Sequence, residues 1–307
     1  MKSTLLKAWL IACALFAVSC SGTNSVQEVI WVGSTPGDNY IKSMLNIPAT
    51  TKVDFIRWNL VLKTTDANEN SFELDLVFGE GEQGTPGFKN GGETQSYSGN
   101  FTISKSGNEN INGETWHFKS SNLKSELILV KLDDNLIHLL TSQNRLMIGN
   151  GGWSYTLSRK TRVQPAAILP VLKSSAQILN DTPLQVVFEG RTPCQEVAAE
   201  HPELKASSSC HKLKWRLILL RDSVSRQPTT STIRKVVDNN PKDELGTWSI
   251  TKGIASNPDA IIYTLNPDKP GESISFLAGD ENVLFILSKK NTLLPGNADF
   301  SFTLNKK

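Results

Sequence analysis

The chain has 307 residues, of which 38% are hydrophobic, and it carries 32 Lys and Arg against 30 Asp and Glu. This length allows two domains that each bury a core. The balanced charge, without an interleaved stripe of basic and aromatic residues, excludes a nucleic-acid-binding face. No Gly-x-Ser-x-Gly, His-Glu-x-x-His or Walker A motif occurs in the sequence, so we expect no catalytic activity and no resident cofactor.

Residues 1–19 are predicted to be a signal peptide. Lys2 and Lys7 form its positive end, and residues 8–18 are an uncharged apolar run that is too short to span a bilayer as a helix. Small residues then precede Cys20, which resembles the lipobox of bacterial lipoproteins. This resemblance implies cleavage before Cys20 and its acylation, with the lipid as the membrane anchor.

The residue after the cysteine indicates where such a lipoprotein is sorted. Ser21, rather than Asp, resembles the outer-membrane pattern. We therefore expect an outer-membrane lipoprotein that faces the periplasm or the cell surface. The alternative is an ordinary secretory signal cut near Ala17 or Ser19.

Comparison of the chain with itself shows an internal duplication. Residues 29–36 recur 157 positions later as residues 186–193, and the run around Trp58 recurs at the same offset around Trp215. Three later blocks recur at an offset of 147, namely 99–103, 133–136 and 149–157, which match 246–250, 280–283 and 296–304. The constant offsets and the matching order predict two copies of one domain, copy 1 at 20–160 and copy 2 at 183–307.

The change of offset places ten extra residues in copy 1 between Trp58 and Gly99. This interval is rich in glycine at 79–92 and begins with a Gly-x-Gly-x-x-Gly motif. No helix is expected to open there, so we interpret the motif as a hairpin loop and not as a dinucleotide site. Residues 161–182 have no counterpart in the repeat and are predicted to be a linker with a short helical turn.

Hydrophobic residues within each copy alternate with a period of two. About eight short strands per copy, joined by polar turns, predict an all-β fold of two tandem antiparallel barrels. The candidate strands of copy 1 cover residues 54–63, 72–78, 116–119, 127–132, 136–140 and 153–157.

Two of the four cysteines, Cys194 and Cys210, lie in copy 2, and their counterparts in copy 1 are Gly37 and Val53. Both cysteines are thus absent together from copy 1, as expected if they serve one another. In an oxidising envelope compartment this predicts a structural disulfide. It would close a loop of roughly 17 residues and stabilise the fold by about 3 kcal/mol.

A metal site is the alternative for the same residues. Cys194, Cys210 and either His211 or His201 offer ligands for Cu(I) or Zn(II). Adjacent residues of a strand point to opposite faces, which argues against joint ligation by Cys210 and His211.

Two histidines and two acidic pairs have structural interpretations. His117 and His138 fall in predicted strands, and neither recurs in copy 2, so we interpret both as strand histidines without a catalytic role. The pairs at 133–134 and 280–281 have the composition of tight hairpin turns, which we prefer to paired catalytic carboxylates.

Short motifs in both copies resemble one known family. Copy 2 has Gly-Arg-Thr-Pro-Cys at 190–194 and Leu-Gly-Thr-Trp-Ser-Ile at 245–250, and copy 1 has Gly-Ser-Thr-Pro at 33–36 and Gly-Asn-Phe-Thr-Ile at 99–103. These motifs resemble the N-terminal domain of the NlpE family, outer-membrane lipoproteins linked to copper resistance and envelope-stress sensing. The resemblance implies a lipocalin-like barrel in each copy and the possibility of copper binding. That family has Pro-Cys-x-x-Cys, whereas this chain has Val197 three residues after Cys194.

The sequence thus predicts a non-enzymatic envelope lipoprotein, an NlpE-like accessory or sensor protein connected with copper or envelope stress. The alternative is a module that binds a small apolar molecule or a glycan, in a barrel mouth or on the loop at 79–92. Expected partners are the membrane, through the lipid on Cys20, and envelope proteins or a small ligand.

Overall fold

The computed structural model describes residues 26–66, 69–105, 111–163, 171–172, 183–200, 206–254 and 257–307. The predicted signal peptide and Cys20 lie outside these residues, and so does most of the predicted linker, including its helical turn.

Copy 1 folds into a closed antiparallel barrel of eight strands in which β1 pairs with both β2 and β9. We call it barrel 1. The short strand β5 lies outside it and pairs with β10 of the linker. The strands are β1 (Val26–Pro36), β2 (Phe55–Thr65), β3 (Asn70–Gly79), β4 (Glu93–Ser104), β5 (Ile111–Asn112), β6 (Thr115–Lys119), β7 (Leu127–Lys131), β8 (Leu136–Leu140), β9 (Thr156–Arg159) and β10 (Val171–Leu172).

Copy 2 forms a second closed barrel of eight strands, barrel 2, with the same antiparallel order. The prediction of two tandem antiparallel barrels is therefore confirmed. Its strands are β11 (Gln185–Pro193), β12 (Lys212–Arg221), β13 (Pro228–Val237), β14 (Asn240–Ile254), β15 (Asn257–Leu265), β16 (Ile274–Ala278), β17 (Val283–Ile286) and β18 (Thr303–Lys306).

The period-two pattern places one face of each strand inside a barrel. On β2, Trp58, Leu60 and Leu62 are buried in the core of barrel 1, while Arg57 and Asn59 lie on the outer face. Burial of such a side chain contributes about 1.5–3 kcal/mol, so the inward rows fix the strand register. The indole nitrogen of Trp58 donates to Thr35 Oγ1 at 2.9 Å, and that of Trp215 donates to Thr192 Oγ1 at 2.8 Å. The two cores thus repeat a buried hydrogen bond as well as their apolar residues.

A short helix follows the first strand of each barrel and covers that end. In barrel 1 it is α1 (Asn39–Met44), where the Asp38 side chain accepts from the backbone N–H groups of Tyr40 and Ile41 as an N-cap. In barrel 2 it is α2 (Cys194–Glu200). Ile41 and Val197 bury into the respective cores, so each barrel is closed at the end where its first strand finishes.

The predicted disulfide between Cys194 and Cys210 is present and ties α2 to the segment before β12. In barrel 1 the counterparts Gly37 and Val53 lie in direct contact, because a Cβ added to Gly37 would be 2.3 Å from Val53 Cγ1. Each barrel therefore fastens its helix at the same place, covalently in copy 2 and by close packing in copy 1.

The two barrels pack against each other through β7, β8 and β9 on one side and β16, β17 and β18 on the other. Apolar side chains from both copies form a third core between them. Equivalent residues meet across this interface: Ser154 contacts Ser301 at 2.5 Å and Thr156 contacts Thr303 at 2.9 Å.

Other contacts at the interface join residues that are not counterparts, and one such contact occurs twice, with the roles of the two copies exchanged. The backbone N–H of Gly149 donates to Asn305 Oδ1 at 2.7 Å, and that of Gly296, its counterpart, donates to Ser158 Oγ at 2.8 Å. Since Ser158 and Asn305 are also counterparts, the two copies are related by a pseudo-twofold axis, in an isologous arrangement.

One strand prediction was partly wrong. The alternating run at 153–157 was predicted to be a strand, but β9 begins only at Thr156. Trp153 instead belongs to a turn in which Asn150 Oδ1 accepts from the N–H groups of Gly152 and Trp153. This turn faces the second copy, and Trp153 packs there between Phe55 of copy 1 and Arg191 of copy 2. The partial burial of Trp153 therefore comes from the interface and not from a strand.

Candidate functional site

A cavity of about 150 Å³ lies in barrel 1 at the end opposite α1, which we call the mouth of barrel 1. It is formed where β1 begins and where β2, β4 and β9 end. Most of the side chains around it are apolar or aromatic, with charged groups on one side. The lining residues are Gln27, Val29, Trp31, Leu62, Thr64, Phe101, Ile103, Trp116, Lys131, Asp134 and Arg159.

Three aromatic rings make the wall of the mouth. Trp31 and Trp116 meet edge to face with centroids 5.7 Å apart, and Phe101 lies 6.3 Å from Trp116. These contacts hold the rings in place, as is typical of aromatic pairs. Ile103 is 44% exposed at the edge and extends the apolar surface outward. The mouth thus offers a fixed apolar wall that is open to solvent.

The indole N–H of Trp31 has no hydrogen-bond partner among the described residues, although Trp31 is only 2% exposed. The other tryptophan of the mouth, Trp116, donates to Glu114 Oε1 at 2.6 Å. A buried donor without an acceptor costs about 1–3 kcal/mol, so its presence needs an explanation. The indole nitrogen has almost no surface accessible to solvent, so the N–H does not face the open part of the mouth.

Charged groups lie along one side of the mouth. Lys131 Nζ forms an ion pair with Asp134 Oδ1 at 2.8 Å, and Arg159 Nη1 approaches the Asp134 carbonyl oxygen at 3.5 Å. The rim is therefore polar and the interior apolar, which is the usual composition of a small-molecule site.

The corresponding end of barrel 2 is filled by an arginine. Arg221 is the counterpart of Thr64 and is 7% exposed, with its guanidinium carbon 4.9 Å from the centroid of the Trp248 ring. Its Nη1 donates to the Arg226 carbonyl oxygen at 3.0 Å. Burial lowers the pKa of Arg221, and the neighbouring Tyr263 hydroxyl opposes that shift. Trp248 and Tyr263 are the counterparts of Phe101 and Trp116, so the aromatic wall is kept and Arg221 lies against it.

The metal alternative for the cysteines does not fit this structure. Cys194 and Cys210 are bonded to each other, so neither sulfur is a free thiolate that could join His211 as a ligand. His211 is exposed beside the pair, and His201 lies outside the described residues. No group of three or more His, Cys, Asp or Glu side chains able to hold a metal occurs in the described part of the chain.

The two strand histidines are placed differently from each other. His117 lies on the outer face of β6, with Nδ1 3.2 Å from Glu126 Oε2. His138 is fully buried at the interface, where its ring meets Phe285, its counterpart, edge to face at 5.7 Å. Its Nε2 donates to the Met147 carbonyl oxygen at 3.0 Å, and burial lowers its pKa to about 4. His138 is therefore a neutral structural residue.

The acidic pairs form hairpin turns, as predicted. Asp133 Oδ1 accepts from the N–H of Asn135 at 2.7 Å, and Asp280 Oδ1 accepts from those of Asn282 and Val283 at 2.8 and 2.9 Å. The sequence did not indicate that Asp133 is buried and Asp280 half-buried, and this desolvation raises the pKa of each carboxyl group to about 6.

The glycine-rich segment is a hairpin loop between β3 and β4, as predicted. It contains a bridge between Gly81 and Phe88 and a 3-10 turn at Lys89–Gly91. Residues 83–86 of the loop line a groove of about 430 Å³ together with residues 209–212 of copy 2. The loop thus contacts the second copy and forms no dinucleotide-binding turn.

No protein-family model, curated protein or solved structure matches this chain. Among the described residues, no helix is both long enough and apolar enough to cross a membrane. Function is therefore inferred from the residues of the mouth alone.

Proposed function

We propose that this chain is a non-enzymatic bacterial envelope lipoprotein whose barrel 1 binds a small, largely apolar molecule in its mouth. The observation that supports this most is a solvent-open cavity with a wall of three packed aromatic rings. Barrel 2 has Phe188 in place of Trp31 and Arg221 against Trp248, so we assign ligand binding to barrel 1 alone.

The dimensions of the mouth restrict the ligand. A cavity of about 150 Å³ is smaller than the roughly 300–1,000 Å³ of most drug-sized sites, so one ring or the end of an acyl chain enters it. The remainder lies over Ile103 and the charged rim.

A neutral fluorescent probe, N-phenyl-1-naphthylamine, tests this proposal. We expect saturable binding to the purified chain that falls at least about tenfold in the Thr64→Arg variant, which places the arginine of barrel 2 in the mouth. Thr64→Val, which keeps the space, is the matched control and should bind as the native chain does. Equal binding by the native and Thr64→Arg chains would overturn the proposal.

Membrane attachment through Cys20 is part of the same proposal, supported by the lipobox-like residues before it. Incorporation of labelled palmitate into the native chain and its loss in Cys20→Ser are the expected results. A native chain that takes up no label would point to the secretory signal instead.

An NlpE-like accessory or sensor role is the second candidate. It is supported by Cys194, which follows the Gly-Arg-Thr-Pro motif and is joined to Cys210 at the end of barrel 2. Because the two sulfurs are bonded to each other, copper binds these cysteines only if the disulfide is reduced. Copper titration of the native chain, before and after reduction, against the double variant Cys194→Ser with Cys210→Ser tests the metal form of this candidate. No difference between the native chain and the double variant would exclude it.

A further inference from the structure

A cleft of about 470 Å³ lies on the outer wall of barrel 1, where residues 295–299 of copy 2 dock against it. We call it the junction cleft. Ser34 Oγ donates to the Ala298 carbonyl oxygen at 2.7 Å, and Arg57 Nη2 pairs with Asp299 Oδ1 at 2.5 Å. Arg162 Nη2 donates to the Pro295 carbonyl oxygen at 3.2 Å. Both copies therefore build this site, and neither barrel forms it alone.

Four cationic side chains line the junction cleft: Arg57, Arg159, Lys160 and Arg162. Arg57 pairs with Asp299, and Arg162 Nη2 lies 3.9 Å from Glu196 Oε1, so carboxylates beside the cleft partly neutralise these two cations. The one carboxylate among the lining residues is that of Asp75, which accepts from Ser96 Oγ at 2.6 Å. Lys160 forms no ion pair with a carboxylate of the described residues. Positive charge concentrated in a concave site attracts anions, more strongly than on a flat surface.

The remaining lining suits a ligand that has both hydroxyl groups and an apolar face. The lining includes the amides of Asn59 and Asn297, one from each copy. Val32 and Val77 provide apolar surface. The volume lies within the usual range for small-molecule sites.

The pseudo-twofold axis supplies an internal comparison for this cleft. The counterpart of Val32 is Glu189, whose Oε1 pairs with Arg216 Nη1 at 2.7 Å and with Lys307 Nζ at 3.5 Å. Arg216 and Lys307 are the counterparts of Asn59 and Lys160. In copy 2, therefore, the Glu189 carboxylate lies beside Lys307 and neutralises it. In copy 1, Val32 provides no carboxylate beside Lys160.

We propose that the junction cleft binds a small anionic molecule of the acidic-sugar class, bearing a phosphate or a carboxylate group. Its anionic group takes the place, beside Lys160, that the Glu189 carboxylate takes beside Lys307. Arg159 adds to the positive field, and the amide of Asn59 and the amide NH₂ of Asn297 hydrogen-bond the sugar hydroxyls. The junction cleft and the mouth of barrel 1 share Arg159 and differ in their other lining residues.

Isothermal titration calorimetry of the purified full chain tests the proposal with three probes: glucose 6-phosphate, glucuronate and neutral glucose. We expect saturable binding of at least one of the charged sugars, at least about tenfold tighter than that of glucose. Binding of only one charged sugar identifies which anionic group is recognised. Higher ionic strength should weaken the interaction, because exposed charges are screened.

The decisive variant is Val32→Glu, which gives barrel 1 the residue of barrel 2. It should weaken binding of the charged sugar at least about tenfold, while Val224→Glu, which adds the same charge at an exposed position outside the cleft, should leave it within about twofold. Lys160→Glu, at an exposed position, gives the same test if Val32→Glu does not fold. The proposal is overturned if neither charged sugar binds, if glucose binds equally well, or if a folded Val32→Glu or Lys160→Glu chain binds unchanged.

Discussion

The two barrels have the same strand order and three aromatic rings at the same end, yet they differ at the last inward position of their second strands. Thr64 leaves the mouth of barrel 1 open, whereas Arg221 lies over Trp248 and fills the equivalent space in barrel 2. Barrel 2 also has Phe188 in place of Trp31. A small number of substitutions thus separates a candidate binding site from a closed end.

The same contrast occurs at two other places. At the helix-covered end, barrel 2 has the Cys194–Cys210 disulfide, and barrel 1 has the Gly37–Val53 contact. Barrel 1 also has a hydrogen bond from the Tyr155 hydroxyl to Asp38. At the interface, a buried histidine of copy 1 faces a phenylalanine of copy 2. The residues that build the strands are thus repeated in both copies, and the differences concentrate at the ends of the barrels and at the pseudo-twofold axis between them.

Removal of the disulfide should have the largest effect on stability. The double variant Cys194→Ser with Cys210→Ser is expected to lose about 3 kcal/mol of unfolding free energy, because the reduced chain regains loop entropy in its unfolded state. Hydrogen exchange should show the loss in β11 and β12 first, with β1 and β2 less affected. Unchanged hydrogen exchange in β11 and β12 would contradict the stabilising role of the disulfide.

His138 should make stability sensitive to acid. Its pKa is about 4 in the folded chain against an ordinary 6.5, so its contribution is complete above about pH 6.5 and is lost as the pH falls toward 4. That loss is roughly 3 kcal/mol in size. Asp133 and Asp280 act oppositely, since their raised pKa values favour the folded state at low pH and this contribution is lost as the pH rises through 6.

Denaturant unfolding at pH 7 and at pH 4.5 separates these contributions. The His138→Gln variant should lose less stability between the two values than the native chain, because the two aspartates are common to both. Parallel curves for the two proteins would show that the histidine does not titrate with folding.

Gly37→Ala should destabilise barrel 1 by about 2 kcal/mol. The added Cβ would lie 2.3 Å from Val53 Cγ1 and 2.6 Å from the Val53 carbonyl oxygen, and the backbone atom cannot move aside at low cost. Gly271→Ala is the matched control, since a Cβ there meets nothing within 4 Å. Thermal unfolding of both variants measures the difference, and equal midpoints would contradict the packing role of Gly37.

Arg221→Thr should have the smallest effect on stability, about 1 kcal/mol, through loss of the contact with Trp248. The same change should open barrel 2, so that the bound amount of N-phenyl-1-naphthylamine rises from one toward two per chain. A variant that unfolds no earlier and binds no additional probe would show that Arg221 does not block the site.

Much of the fold follows from sequence patterns alone. The offsets of the repeat locate both copies, the period of two gives the barrels, and the paired absence of Cys194 and Cys210 from copy 1 predicts their bond. The interface between the barrels was not predicted, although β7 offered a signal. Its first four residues, Leu-Ile-Leu-Val, are all buried, and such a continuous apolar run is typical of a strand that is covered on both faces.

The candidate site was less accessible to sequence reasoning. The substitution of Arg221 for Thr64 is visible at the offset of 157, but only the structure shows that both point into a barrel end. The unpartnered N–H of Trp31 depends on the three-dimensional surroundings of its ring. The role of Glu189 opposite Val32 likewise depends on long-range packing, which no local pattern reports.

The pseudo-twofold axis has a consequence for how such a protein can vary. In a homodimer every residue on the axis must face its own copy, and each mutation appears twice. Covalent fusion removes both restrictions and also keeps the two halves at a high effective concentration. The pair of His138 and Phe285 is a combination that only a fused chain can place on its axis. Fusion therefore gives each half the freedom to acquire a separate ligand while the other half maintains the shared interface.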